Sequence, residues 1–208
     1  VFICSPNNPT GHLIDHHQIK QVLTQCKDRA IVVVDEAYIE FCPEQTVVSW
    51  LKEYSNLVIL RTLSKAYALA GLRCGFTLAS TDIIAMMSKV IAPYPIAAPV
   101  AEIASDALNG DGITTMTIRV KECNKLKEEF TLWLEKQSWC DEVFNSDANF
   151  ILLRSKQAKQ IFNCLSENGL LIRDQSKQCR LENCLRISIG SANELALVKN
   201  TLATQEDL

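Results

Sequence analysis

A single lysine stands among small and apolar residues in the stretch Arg61-Thr62-Leu63-Ser64-Lys65-Ala66-Tyr67-Ala68-Leu69-Ala70-Gly71-Leu72-Arg73-Cys74-Gly75. A solvated surface charge has no need of such neighbours. Desolvation favours the neutral form of an amine, and a neutral amine attacks an aldehyde. Thr62 and Ser64 place hydroxyls beside it, and Arg73, eight residues further on, offers a forked cation suited to a phosphate. An aldehyde trap next to a phosphate site points to pyridoxal 5'-phosphate held as a Schiff base. Taken alone, the segment reads equally well as a lysine in a loop that starts a helix. Residues elsewhere in the chain decide between the two.

Three polar positions fall where apolar runs end, which is where ligands bind in open α/β sheets. Asn8 follows Val1-Phe2-Ile3-Cys4, Asp35 ends Ala30-Ile31-Val32-Val33-Val34, and Lys65 follows Leu57-Val58-Ile59-Leu60. Each has a plain alternative: a turn, a helix cap, a surface charge. Their shared register at strand ends favours a site. Pyridoxal chemistry needs a carboxylate at the pyridine nitrogen, and Asp35 is the candidate. Donors to the ring's phenolic oxygen are Asn8 and Tyr38. Lys65 would bind the aldehyde and, once displaced, carry a proton as base and acid. Thr62, Ser64 and Arg73 would hold the phosphate.

The elements that position these residues follow from pattern. The run from Ala30 to Val34 is a continuous apolar strand of the parallel, doubly covered kind. Gly75 to Ala79 reads as another strand. Asp15 caps a helix carrying Ile19, Val22, Leu23 and Cys26 at helical spacing, and Thr81-Asp82 caps one that reaches Ile91 and stops at Ala92-Pro93-Tyr94-Pro95. Strand, loop and helix in repetition predict an α/β large domain with a mostly parallel sheet over residues 1–96. Residues 97–137 read as interdomain helices. They comprise Val100 to Leu108, a break at Asn109-Gly110-Asp111-Gly112, and a long helix from Ile113 to Gln137 with an alternating-charge face. Residues 138–208 predict a C-terminal α+β small domain. Its strands are Val143-Phe144, Asn149 to Leu153, Leu170-Leu171-Ile172 and Leu185 to Ile189, and its helices are Lys156 to Asn168 and Ala192 to Thr204. Gly169 suits a helix C' position, and Ser191 with Glu194 makes a capping box.

Composition narrows the class. The 208 residues are 48% hydrophobic and 22% charged, as in a soluble globular protein, and suffice for one large or two modest domains. A net charge of -3 leaves no electrostatic footprint for nucleic acid or an anionic membrane, and no apolar run is long enough to span a bilayer. Nine cysteines is an odd number at scattered spacings, which reads as reduced thiols in a cytoplasmic protein. His12, His16 and His17 cluster without a cysteine at ligand spacing, so no metal is expected. Trp50, Trp133 and Trp139 read as partial core, and Glu36 and Glu40 as structural.

Three stretches resemble the signatures of fold-type I pyridoxal-phosphate aminotransferases. They are Ser5-Pro6-Asn7-Asn8-Pro9-Thr10-Gly11, Asp35-Glu36-Ala37-Tyr38-Ile39-Glu40-Phe41, and Thr62 through Gly75. Four more resemble the histidinol-phosphate aminotransferase family: Ala92-Pro93-Tyr94-Pro95, Asn149-Phe150-Ile151-Leu152, Arg173-Asp174-Gln175-Ser176 and Cys184-Leu185-Arg186-Ile187-Ser188-Ile189-Gly190. The resemblance implies amino-group transfer between L-histidinol phosphate and 2-oxoglutarate in histidine biosynthesis, by a homodimer. It carries Asn8, Asp35, Tyr38, Thr62, Ser64, Lys65 and Arg73 to the cofactor. Arg186 goes to the substrate's anionic group, with Arg173 as second contributor and Asn8 nearby. The family has roughly a further domain's worth of chain before Val1. On that ground the sequence is expected to be a fragment, inactive or nearly so alone.

Other readings stay open on sequence: an aromatic or broad-specificity aminotransferase, a phosphate-substrate lyase of the same fold, an aminotransferase-like sensor domain of a transcription regulator, or a non-catalytic remnant that has kept the fold.

Overall fold

A computed structural model describes residues 1–204. The chain divides into two compact units, Val1–Asn7 with Leu13–Val120, and Asn8–His12 with Lys121–Leu208.

The first unit is built on four strands in spatial order β1-β2-β3-β4: β1 Phe2–Cys4, β2 Val32–Asp35, β3 Leu57–Thr62 and β4 Gly75–Ala79. β2 is parallel to both β1 and β3, while β4 is antiparallel to β3. A parallel pair needs a crossover. Between β1 and β2 it is helix α1, His16–Gln25, whose Asp15 cap accepts from the His17 N–H at 2.7 Å. Between β2 and β3 the crossover has no α-helix, only three short 3-10 turns at Ile39–Phe41, Pro43–Gln45 and Val48–Lys52. Ile19 and Leu23 of α1 pack with Val32, Val34, Leu57, Ile59, Val47 and Trp50 into one core. Alternate side chains of β2 point the other way, and there Val33 and Leu60 are only half-buried. Val58 of β3, which pairs with Val33, is buried there, so the run is covered on both faces and less completely on this one. Asp35 shares the parity of Val33 and opens onto that less crowded face.

Helices α2 (Thr81–Ser88) and α3 (Ala98–Ala107) follow, and then α4 (Gly110–Leu134). Several boundaries differ from expectation, among them an α3 that starts two residues early at Ala98 and an α4 that ends at Leu134, short of Gln137. The N-cap of α2 is Ser80 rather than Thr81, and Asp82 lies in the first turn, where a carboxylate suits the helix dipole. That helix ends at Ser88, short of Ile91. The Asn109-Gly110-Asp111-Gly112 break is the start of α4, for the Asn109 carboxamide oxygen accepts from the Gly112 N–H at 2.8 Å and so caps the new helix.

The second unit is a four-stranded antiparallel sheet in order β5-β6-β8-β7, from β5 Glu142–Val143, β6 Phe150–Arg154, β7 Arg173–Asp174 and β8 Cys184–Ser188. Helices α5 (Ala158–Glu167) and α6 (Ala192–Ala203) complete it. Ile151, Leu153, Leu185 and Ile187 pack with Ile161, Leu165, Leu195, Val198 and Leu202, joined by Phe130 and Leu134 from α4. The capping box at Ser191 and Glu194 forms as expected, and Gly169 takes a positive φ of 76°. Leu170-Leu171-Ile172 is not a strand. The Leu170 N–H closes the end of α5 on the Leu165 carbonyl at 2.8 Å, and pairing with β8 begins only at Arg173.

Candidate active site

β3 extends to Thr62, two residues beyond its apolar run, so Arg61 and Thr62 belong to the sheet and pair with Phe76 and Gly75. The lysine loop is thus tied at both ends to adjacent strands. Its inside is held by the Leu63 N–H on Cys74 O at 3.1 Å and the Leu69 N–H on Leu63 O at 3.0 Å. Leu63, which is fully buried, anchors it in a small core with Cys74 and Ala104. Arg73 adopts a left-handed conformation, φ 54°, at the end of the 3-10 turn Ala70–Leu72. A non-glycine residue pays for such a backbone with strain, which is often kept where a side chain must be aimed.

A cavity of about 580 Å³ opens at the ends of β2, β3 and β4. Asp35, Thr62, Ser64 and Arg73, all expected cofactor residues, lie along it together with Arg61, Cys74, Gly75 and Phe76. The Thr62 and Ser64 hydroxyls are hydrogen-bonded at 2.9 Å, and the Ser64 N–H donates to Thr62 Oγ1 at 3.1 Å. Arg73 gives one N–H to the Ala70 carbonyl at 2.9 Å. Two hydroxyls and a guanidinium are the donor set a phosphate ester requires. Asp35 accepts the Ala37 N–H at 3.0 Å through one oxygen. Lys65 and Tyr38 are not among the residues lining this cavity. They pair with each other, the Lys65 ammonium standing 5.4 Å from the centre of the Tyr38 ring.

Gly75 has a steric reason to be glycine. A Cβ there would stand 2.7 Å from the Arg61 carbonyl oxygen in the facing strand. Gly75→Ala is expected to lower stability by about 1–3 kcal/mol, the usual cost of overpacking. Urea denaturation checks this, and an unchanged midpoint would contradict the close approach.

The second unit holds the remaining expected residues. Arg173 and Arg186 are directly opposed across β7 and β8. Arg186 lies 4.9 Å from the Phe150 ring centre, donates through Nη1 to the Asn8 carboxamide oxygen, and has no hydrogen-bond partner for its buried Nε among the described residues. A buried guanidinium N–H with no acceptor is costly until an anion takes it. Sequence reasoning missed Arg61. The signal was present, since a guanidinium in the run Leu57-Val58-Ile59-Leu60-Arg61-Thr62 has to find carboxylates. Glu36 and Glu40 supply them, the structural role expected of both.

The family model for aminotransferase class I and II matches residues 1–202. The chain belongs to the class I and II aminotransferase family. Among the relatives of this aminotransferase chain is a histidinol-phosphate aminotransferase from Colwellia psychrerythraea, 54% identical across 98% of the chain and 57% of the relative. The chain therefore spans little more than half that relative's length. Among solved structures, the histidinol-phosphate aminotransferase from Clostridium acetobutylicum superposes with a TM-score of 0.90 at 26% identity, covering all of this chain and 64% of the other. The Sinorhizobium meliloti histidinol-phosphate aminotransferase, solved in complex with pyridoxal-5'-phosphate, gives 0.86 at 24% identity over 97% of this chain and 55% of its own, a likeness of fold. The aminotransferase fold and its mostly parallel sheet are as expected.

Proposed function

We propose that this chain works as part of a longer pyridoxal-phosphate enzyme that transfers an amino group between L-histidinol phosphate and 2-oxoglutarate, and that by itself it is inactive or nearly so. The observation that carries the reading is the cavity on which Asp35, Thr62, Ser64 and Arg73 converge, with Lys65 on the same loop. When bound, pyridoxal phosphate supplies the aldehyde that takes up the amino group and a ring that draws electrons from the reacting carbon. The other roles belong to the chain. Thr62, Ser64 and Arg73 hold the phosphate. The Asp35 carboxylate keeps a proton at the pyridine nitrogen. Tyr38 and Asn8 donate to the phenolic oxygen. The Lys65 amine binds the aldehyde carbon and afterwards moves a proton to and from the substrate carbon.

Arg186 and Arg173 recognise the anionic end of each reactant. One reactant carries a phosphate and the other a carboxylate, and fixed guanidinium groups suit both. The unpartnered Arg186 Nε supports this assignment. The histidinol-phosphate name of the relatives is what selects the phosphate-bearing substrate. Action as a homodimer and a cytoplasmic location complete the reading. Among the described residues no helix is long and apolar enough to cross a membrane.

Arg186→Ala tests the reading at the substrate. It removes a charge-assisted contact worth about 1.5–3 kcal/mol, so the substrate concentration for half-maximal rate should rise roughly tenfold or more. The absorbance of the bound cofactor should stay as it is. An unchanged substrate dependence would return Arg186 to a structural part beside Asn8 and Phe150.

A further inference from the structure

Arg61 has no role in the scheme above, yet it lines the cavity and reaches behind it. Its Nε and Nη2 each lie 2.8 Å from Glu36 Oε2, and its Nη1 donates to Glu40 Oε1 at 3.3 Å. Nη2 also donates to the Thr46 hydroxyl oxygen at 2.8 Å. Glu36 is only 1% exposed and takes two further donors, the Thr46 hydroxyl at 2.9 Å and the Val47 N–H at 2.7 Å. One guanidinium thus holds two carboxylates.

The spacing of those carboxylates gives the arrangement its meaning. Glu36 is two residues before Tyr38 and Glu40 two residues after it. The Tyr38 backbone is bracketed by two ties that end on a single fork. That fork is rooted in β3, next to Leu60, which pairs with Asp35 of β2. The ring so placed is the one over which the Lys65 amine stands. Burial pushes the Glu40 carboxyl above its usual range, against the pull of backbone hydrogen bonding and the Arg61 charge. Its Oε2 has no hydrogen-bond partner among the described residues. A buried cluster with two acids, one base and an orphaned oxygen is a poor device for stability, because apolar residues of the same size serve as well or better. It is a good device for fixing geometry.

We propose that Arg61 is a positioning residue: by holding Glu36 and Glu40 on one guanidinium it sets where the Tyr38 ring lies beneath Lys65. Its value to the reaction rests on the reading of Tyr38 and Lys65 given above, but the placement itself exists without cofactor and is measured without it.

The experiment is fluorine NMR of the chain with fluorotyrosine at its four tyrosines. Tyr38→Phe identifies the resonance, and Lys65→Met measures how far it moves when the amine leaves. Arg61→Lys keeps the charge but cannot span two carboxylates. It should move the Tyr38 resonance at least as far as Lys65→Met does, while Tyr54 and Tyr94 stay in place. Glu40→Ala should move it in the same direction, and Glu40→Gln, which keeps an oxygen for Arg61, should restore it. The Glu40 pair decides the question if Arg61→Lys does not fold. A Tyr38 resonance unmoved in the folded Arg61 or Glu40→Ala variant overturns the proposal, as does equal movement at Tyr54 and Tyr94, which marks a general structural role. Pyridoxal phosphate is then added to the same samples. Failure of the wild-type chain to form an adduct at Lys65 would count against the functional reading, while the cofactor-free spectra still decide the positioning.

Discussion

In the full-length enzyme that contains this chain, Lys65→Ala is expected to remove every trace of borohydride-reducible cofactor adduct and to slow amino transfer by about 10²–10⁴-fold or more, the range that a positioned acid–base group contributes. The size of the effect follows from the two tasks given to one amine. As nucleophile it binds the aldehyde, and as base and acid it carries the proton between two carbons. Alanine can do neither. The fold should survive, because the loop is held by the Leu63–Cys74 and Leu69–Leu63 backbone bonds and by the buried Leu63, none of which involves the lysine side chain. What is lost structurally is the contact of the ammonium with the Tyr38 ring, worth about 0.5–1 kcal/mol. A small primary amine in the medium should restore part of the proton transfer. A variant that retains its rate within tenfold, or still yields a reduced adduct, would show that another residue does this work.

Asp35→Ala is expected to slow the first half-reaction by roughly 10²–10³-fold, comparable to the loss of one preorganised electrostatic partner. Cofactor affinity should fall much less. The asymmetry comes from where the carboxylate sits. The proposed phosphate donors Thr62, Ser64 and Arg73 stand on β3 and the loop after it, and their own hydrogen bonds do not involve Asp35. In the proposed reading Asp35 would act instead on the ring, by holding the proton that makes it an electron sink. Its own position is set by the Ala37 N–H and by the pairing of β2 with β3. Rapid-mixing measurement of the half-reaction beside an equilibrium titration separates the two quantities. Equal losses in both would mean that Asp35 merely helps to bind.

Much of this arrangement can be read from the sequence because its signals are local. A strand that must be buried shows a run such as Val32-Val33-Val34, and the polar residue ending it marks the sheet's carboxyl end. The helix caps at Asp15 and Ser191 are each contained within four residues. Where the reading failed, the deciding partner was distant or equivocal. Gly75 to Ala79 is the strand expected, and only its antiparallel direction, set by the short path back from Thr62, went unread. Leu170-Leu171-Ile172 has the residue types of a strand, yet its first N–H is spent on closing α5, and Leu171 ends up 89% exposed. Asn109-Gly110-Asp111-Gly112 looks like a break because glycine weakens helices. The Asn109 side chain turned the same four residues into a helix start. The contact between Arg186 and Asn8 joins positions 178 residues apart. Arg61 was passed over because its two acids lie 25 and 21 residues before it.

The most direct measurement is a visible-absorption titration of the full-length enzyme containing this chain with pyridoxal phosphate, followed by borohydride reduction and peptide mapping. L-Histidinol phosphate and L-phenylalanine are added to parallel samples before reduction. The account predicts a saturable cofactor band, a reduced label on Lys65 alone, and loss of band and label with histidinol phosphate but not with phenylalanine. A label on another lysine, or a Lys65 left unlabelled at saturating cofactor, would contradict it.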